Sequence, residues 1–200
     1  MMLDRNEVSL GGGAWANIAG VPKLTYTCGY CGDIVASDRG WIGNRPNVGA
    51  SFIRVCPSCD GPSLFTVSGK RYPGSAPGDP VANLPDDLAK LYNEARTSAA
   101  AGAPTAAVLA CRKMLMNVAV TEGAAPGESF VSYVEFLEKK GFVPPKGKGW
   151  VDYIRKRGNE ANHEIVLMQD ADAKSLITFV EMLLKFIYEF PNLVPAASTV

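Results

Sequence analysis

Hydrophobic positions change their period once along this chain. Residues 23–27 (Lys-Leu-Thr-Tyr-Thr), 51–55 (Ser-Phe-Ile-Arg-Val) and 63–67 (Ser-Leu-Phe-Thr-Val) are short runs rich in β-branched and aromatic residues, which predicts three strands. Residues 33–50 carry Trp41, Asn44 and Pro46 and read as a loop or an irregular hairpin. Residues 1–20 are glycine-rich, with Gly11, Gly12 and Gly13 unsuited to the interior of an element, so an irregular segment is expected there. The prolines and glycines of residues 69–85 oppose regular structure and mark a linker. Beyond Pro85 the spacing becomes helical, predicting helices over 86–101, 104–121, 129–140, 151–164 and 171–190. Asp86 and Asp87 suit the positive end of the first, and Asp170 is placed to cap the last. The apolar residues from Leu176 to Phe190 cover an arc of about 200°, wider than the ~100° stripe that one core contact requires. That width predicts a helix central to a bundle that also faces a second copy, hence a homodimer, against the simpler reading of a buried helix in a monomer.

The cysteines give the first part of the chain its chemistry. Cys28-Gly-Tyr-Cys31 and Cys56-Pro-Ser-Cys59 are two C-x-x-C pairs separated by 24 residues, and Cys111 stands apart. Each pair can present two thiolates at a tight turn, and two such turns complete a tetrahedral S4 shell for Zn2+. Four protein ligands leave no open position for water, which assigns the metal a structural role. A redox dithiol or disulfide pair and a four-thiolate iron site are the competing readings. A ribbon this small has little apolar core, so metal binding should supply much of its folding free energy. The expected fold is α+β in two domains: an irregular segment 1–20, a small β-rich zinc ribbon 21–68, the linker 69–85, an all-α bundle 86–192 and a tail 193–200.

Charge removes some options. Twenty Lys and Arg balance twenty Asp and Glu, so no global field draws in nucleic acid or an acidic membrane, and such binding needs a local patch. Residues 21–72 are nearly neutral, which argues against the ribbon as a DNA-binding head. The start of the chain carries Asp4 and Glu7 and lacks the basic start and apolar run of a signal peptide, and no later run approaches a membrane span. A cytoplasmic protein without membrane contact is expected.

His163 is the only histidine, and it closes the polar run Arg157-Gly158-Asn159-Glu160-Ala161-Asn162-His163. Histidine both takes and gives a proton near neutrality, and arginine offers a charged planar fork for phosphate oxygens. Arg157, Asn159 and His163 are therefore the candidate catalytic residues of a phosphodiester site, with a structural polar helix end as the plain alternative. On one unbroken helix, Arg157 and His163 stand about 120° apart, whereas Arg155, Asn159 and His163 share a face. A break at Gly158, or an arginine from a second subunit, would bring Arg157 to the histidine. Lys139, Lys140, Lys146, Lys148 and Lys156 form a basic run that either gathers a phosphate backbone or is an ordinary solvated surface.

A wider set of residues carries a resemblance. Leu84-Pro85 before a helix, Glu94-Ala95 within it, Ala110-Cys111-Arg112-Lys113-Met114-Leu115 on the next, Leu137 and Gly141, Trp150, the Arg155 to His163 run, Asp172 to Ile177 and Phe190-Pro191 recur in this order over about residues 82–192. The pattern resembles an uncharacterised domain family of the HEPN (higher eukaryotes and prokaryotes nucleotide-binding) superfamily, in which a cysteine-paired zinc module often comes first. The resemblance implies a domain built around a four-helix bundle. Many such proteins are metal-independent ribonucleases with an Arg-x4-6-His motif, two copies facing each other across a dimer cleft; others bind or scaffold without catalysis. Arg157 to His163 satisfies that spacing, although Gly158 directly after the arginine departs from the commonest ribonuclease form. The implied function is binding or cleavage of RNA, or binding of a nucleotide, in stress response or defence. The alternative is a non-catalytic, zinc-stabilised module for dimerisation, interaction or nucleotide sensing.

The remaining features carry plainer expectations. Cys111 reads as a buried small hydrophobe and Arg112 and Lys113 as solvent-facing. Tyr30 reads as exposed, free to touch a base or partner. Trp15, Trp41 and Trp150 are too scattered for a stacking platform, Trp150 anchoring the fourth helix.

Overall fold

The computed structural model describes residues 15–143, 149 and 167–193. The chain divides into two compact units, the first running to Ala76, with Ala100–Gly102 added, and holding the sheet, the second comprising Pro77–Ala99 and the chain from Ala103 and holding the helices. The architecture is α+β, with a five-stranded antiparallel sheet followed by four α-helices among the described residues.

The sheet is a meander in chain order: β1 (Ala19–Thr27), β2 (Ile34–Arg45), β3 (Gly49–Val55), β4 (Pro62–Phe65) and β5 (Arg71–Tyr72). Three strands coincide with the alternating runs in the sequence. Residues 33–50 are the hairpin of the two expectations, and a regular one, with β2 extending over twelve residues. Its alternation was hidden because β2 changes partner: Ile34 to Gly40 pair with β1, and Gly40 to Arg45 pair with β3. Gly40 is where the two ladders meet. A Cβ there would lie 1.8 Å from the Ile53 carbonyl oxygen, a separation no side chain tolerates. Asn47, at φ 60°, and Gly49, at φ 128°, turn the chain into β3.

The stretch 69–85 is more ordered than its composition suggests. Arg71 and Tyr72 pair with Phe65 and Leu64, and proline enters only at Pro73, beyond the ladder. Farther on, Arg96 donates from Nε to the Pro77 carbonyl (3.0 Å) and from Nη2 to that of Gly78 (2.7 Å). The Tyr92 hydroxyl donates to the Asp79 carbonyl (2.9 Å), and the Ala82 amide donates to Glu189 Oε2 (2.9 Å). Side chains of the helical unit thus satisfy backbone that has no ladder of its own.

The first three helices follow their expected limits closely. α1 (Asp86–Ala100) buries Leu88, Tyr92 and Ala95, one stripe at helical spacing. α2 (Pro104–Thr121) starts with proline in its first turn, where no amide is needed, and buries residues from Ala107 to Ala119 on most sides. α3 (Phe130–Lys139) is capped by Ser129, whose hydroxyl accepts from the Ser132 amide (3.1 Å). α2 packs against both α3 and the last helix, α4 (Asp170–Leu184), around a core that includes Met114, Leu115, Phe179 and Leu183.

The end of the chain corrects one expectation. Gln169 is the cap of α4, its amide donating to Asp172 Oδ2 (2.9 Å), and Asp170 is the first helical residue. Nor is 171–190 a single regular helix: after Leu184 the backbone widens into a π-helical turn, Lys185–Glu189, and then tightens into a 3-10 turn, Phe190–Leu193. The apolar arc splits there. Residues up to Leu184 enter the core, whereas Phe186 and Phe190 are 47% and 41% exposed and contact each other edge to face. Among the described residues no helix is long and apolar enough to cross a membrane. Residues 1–14 of the expected irregular segment 1–20, the expected helix 151–164 and residues 194–200 of the expected tail 193–200 lie outside the described residues.

Candidate metal centre

Two turns of the same construction bring the four cysteines together. In the first, at the end of β1, the Cys28 amide donates to the Asp33 carbonyl (2.8 Å) and the Gly32 amide to the Cys28 carbonyl (3.0 Å). In the second, after β3, the Cys56 amide donates to the Gly61 carbonyl (3.0 Å) and the Asp60 amide to the Cys56 carbonyl (2.9 Å). Gly32 and Asp60, at φ 79° and 58°, take the left-handed conformation that closes each turn. The amides of Tyr30 and Ser58 each point at the sulfur two residues back, Cys28 and Cys56, at 3.4 Å. Repetition of one turn in two places is what C-x-x-C spacing encodes.

The sulfur positions fit a metal. All four Sγ atoms lie within 4.8 Å of one another. Cys28 Sγ is 3.8 Å from Cys59 Sγ, and Cys31 Sγ is 3.9 Å from Cys56 Sγ. A tetrahedron with metal–sulfur bonds of about 2.3 Å has edges of about 3.8 Å, so the donor set matches a tetrathiolate of an ion such as zinc. A disulfide requires about 2.05 Å, and these cysteines are free. The close contacts also cross between the two turns, where a dithiol switch would pair within one. The cluster and its sheet fit a zinc ribbon.

The surroundings of three of the thiols differ. Burial, with the other thiols added, pushes Cys31 far above the ordinary thiol range and Cys59 up to about 11. Burial also raises Cys28, but backbone amides of Cys31 and Tyr30 aimed at its sulfur outweigh it and leave that thiol lowered. A divalent cation bound by these sulfurs would displace their protons, because the thiolate is the ligand.

Packing around the cluster corrects two expectations. Tyr30 is half-buried, its ring lying over Gly61, where an added Cβ would meet the ring at 2.5 Å; it joins one turn to the other. Trp15 and Trp41 are in contact, ring centroids 5.7 Å apart and edge to face, and Trp15 Nε1 donates to the Asp60 carbonyl (2.9 Å). They are distant in sequence and adjacent in space. A buried arginine, Arg54, was missed altogether: it is 4% exposed, donates from Nη1 to the Ser37 carbonyl (3.0 Å), and lies over the rings of Phe52 and Phe65.

The other candidates separate. Arg157, Asn159 and His163 lie outside the described residues, as do Arg155, Trp150, Lys146, Lys148 and Lys156. Lys139 and Lys140 are exposed at the end of α3, Lys140 over the ring of Phe136. Cys111 is fully buried and its thiol pushed up to about 12 by that burial, as suits a small hydrophobe. Arg112 does not face solvent: it is buried with its guanidinium 4.2 Å from the Phe130 ring centroid, and burial lowers its pKa; Lys113, beside it, is exposed.

No curated protein and no solved structure matches the chain. A family model does match, over residues 93–199, and it spans the described helices from within α1 onward as well as the Arg157 to His163 run. The chain belongs to the family described as a domain of unknown function, DUF4145.

Proposed function

We propose that this protein binds RNA or a nucleotide through its family domain and cleaves RNA there without a catalytic metal, while Zn2+ on Cys28, Cys31, Cys56 and Cys59 serves structure. The observation that carries this reading is the placement of Arg157, Asn159 and His163 inside the matched segment, together with a cluster of four cysteine sulfurs that by itself would complete a metal's shell. A closed S4 shell gives water no coordination site, so hydrolytic or transfer chemistry falls to side chains elsewhere. The HEPN resemblance supplies the reaction. His163 takes the proton of a ribose 2′-hydroxyl as its oxygen attacks phosphorus; the 5′ oxygen leaves with a proton from the second subunit's histidine; a 2′,3′-cyclic phosphate remains. Arg157 stabilises charge gathering on the phosphoryl oxygens, and Asn159 orients the phosphate or the histidine ring. Cytoplasmic stress response or defence is the setting this activity would serve.

The test is cleavage of labelled RNA by zinc-loaded protein in EDTA, for wild type and His163→Ala, with retained zinc measured in both. Cleavage lost in the variant alone supports the reading, and equal cleavage or none ends it. The edge-to-face pair Phe186 and Phe190, exposed just past the core part of α4, favours a second reading. There the chain is a non-catalytic, zinc-stabilised module whose helical part dimerises or interacts through these rings. Sedimentation showing a salt-insensitive dimer with no affinity for RNA or nucleotide would select it.

A further inference from the structure

The two cysteine turns share one pattern of hydrogen bonds but not one closing residue. Both close in the left-handed conformation, the first through Gly32 at φ 79° and the second through Asp60 at φ 58°. Glycine enters that region without steric cost. A side chain there crowds its Cβ against the next carbonyl, and aspartate visits the region more readily than most residues but still against that crowding. The second turn therefore closes against a resistance that the first does not meet.

The same turn is held from a distant part of the chain. Trp15 Nε1 donates to the Asp60 carbonyl (2.9 Å) across forty-five positions of sequence. An indole N–H is a donor only, so this contact uses all the hydrogen-bonding capacity that Trp15 has in its ring. The ring itself is seated edge to face on Trp41 of β2, 5.7 Å between centroids. Among the described residues, no side chain from outside the first turn donates to a carbonyl of residues 28–33. Asp60 follows Cys59 directly, its amide donates to the Cys56 carbonyl (2.9 Å), and the next carbonyl, of Gly61, accepts from the Cys56 amide (3.0 Å). Any motion that opens this turn breaks those two bonds and also draws the Asp60 carbonyl off the indole.

An ion held by four sulfurs leaves by losing them in succession, and the turn that opens first sets the rate. We propose that Trp15 is the latch of the metal centre, a positioning residue that holds Asp60 in place, keeps the second turn shut and so sets how fast a bound ion leaves. This rests on the zinc reading above and adds to it a residue outside the ligand set.

The experiment follows zinc release from zinc-loaded, full-length protein into excess chromophoric chelator, for wild type, Trp15→Phe, Asp60→Gly and the double variant. Hydrogen exchange of the same samples is read turn by turn. Phenylalanine keeps a ring against Trp41 and loses the donor. Trp15→Phe should release zinc about 3–10-fold faster, the effect of one lost hydrogen bond. Its Cys56 and Asp60 amides should lose protection while those of Cys28 and Gly32 keep theirs; a residue that merely stabilised the sheet would move both turns alike. Asp60→Gly removes the left-handed crowding, so it should slow release below the wild-type rate and bring the double variant back towards that rate. Wild-type release from Trp15→Phe would overturn the proposal, as would equal loss of protection in both turns or no slowing by Asp60→Gly. If Trp15→Phe does not fold alone, the comparison is made in the Asp60→Gly background, where the same acceleration is expected. Wild type that takes up neither zinc nor cobalt would overturn the metal reading itself, an outcome distinct from the others.

Discussion

The two units of this protein are stabilised by different means. Among the described residues of the helical unit, twenty-three buried residues form one apolar cluster, whereas the cluster in the ribbon has five, and three of those are cysteines of the candidate metal site. At about 25 cal/mol per Å² of apolar surface, the first can stand on burial, and the second cannot. The same contrast appears in the arginines. Arg112, in the helical unit, lies over Phe130 beside an extensive core, while Arg54, in the ribbon, lies over only Phe52 and Phe65 and donates to the Ser37 carbonyl. One unit should therefore respond to metal and the other to the size of its side chains.

The largest expected effect comes from breaking the metal centre. Structural zinc in small domains contributes about 10–16 kcal/mol of apparent binding free energy at neutral pH. Chelation, or Cys56→Ser, should unfold β1 to β4 while α1 to α4 persist. Hydrogen exchange read region by region is the measurement; loss of protection across both units at once would show that the helices also depend on the metal. Next in size is a cavity in the helical core. Leu183, fully buried on α4, should cost about 2–5 kcal/mol when changed to alanine, with zinc affinity unmoved. Denaturant titration followed by zinc competition reads both halves of that statement.

A smaller effect separates the units by pH. Burial raises the Cys111 thiol from 9.0 to about 12, so the folded helical unit keeps a proton that the unfolded chain releases. Its contribution is complete below about pH 9 and is lost as pH rises from there through about 12. At pH 10 the loss is about 1.4 kcal/mol, one pKa unit's worth. Cys111→Ala removes this slope, so the difference in stability between variant and wild type, measured by denaturation at pH 8 and pH 10, should shrink by that amount. A constant difference would show that Cys111 does not titrate in this way.

The local signals were legible from the chain. C-x-x-C spacing specified two turns whose hydrogen bonds lie within six residues, Cys28 to Asp33 and Cys56 to Gly61. The start of α2 at Pro104 followed from proline and periodicity. The Arg157 to His163 run is legible as a motif and lies outside the described residues. Other features were not local. The length of β2 depended on having β1 on one side of its first half and β3 on the other side of its second, so no single alternation ran along it. Gln169 replaced Asp170 as a cap because the reciprocal carboxylate came from Asp172, one turn onward.

Sequence by itself determined the class of the fold, the change from strand to helix, the family of the helical segment and the four cysteines of the candidate metal centre, because each is written in spacings of a few residues. Tertiary structure alone decided that Trp15 meets Trp41, that Tyr30 seats on Gly61, and that Arg54 and Arg112 are buried. An arginine looks the same in sequence whether it faces water or an aromatic ring. Its address is set by neighbours from distant strands and helices, and its charge acquires a use only where those neighbours exclude solvent.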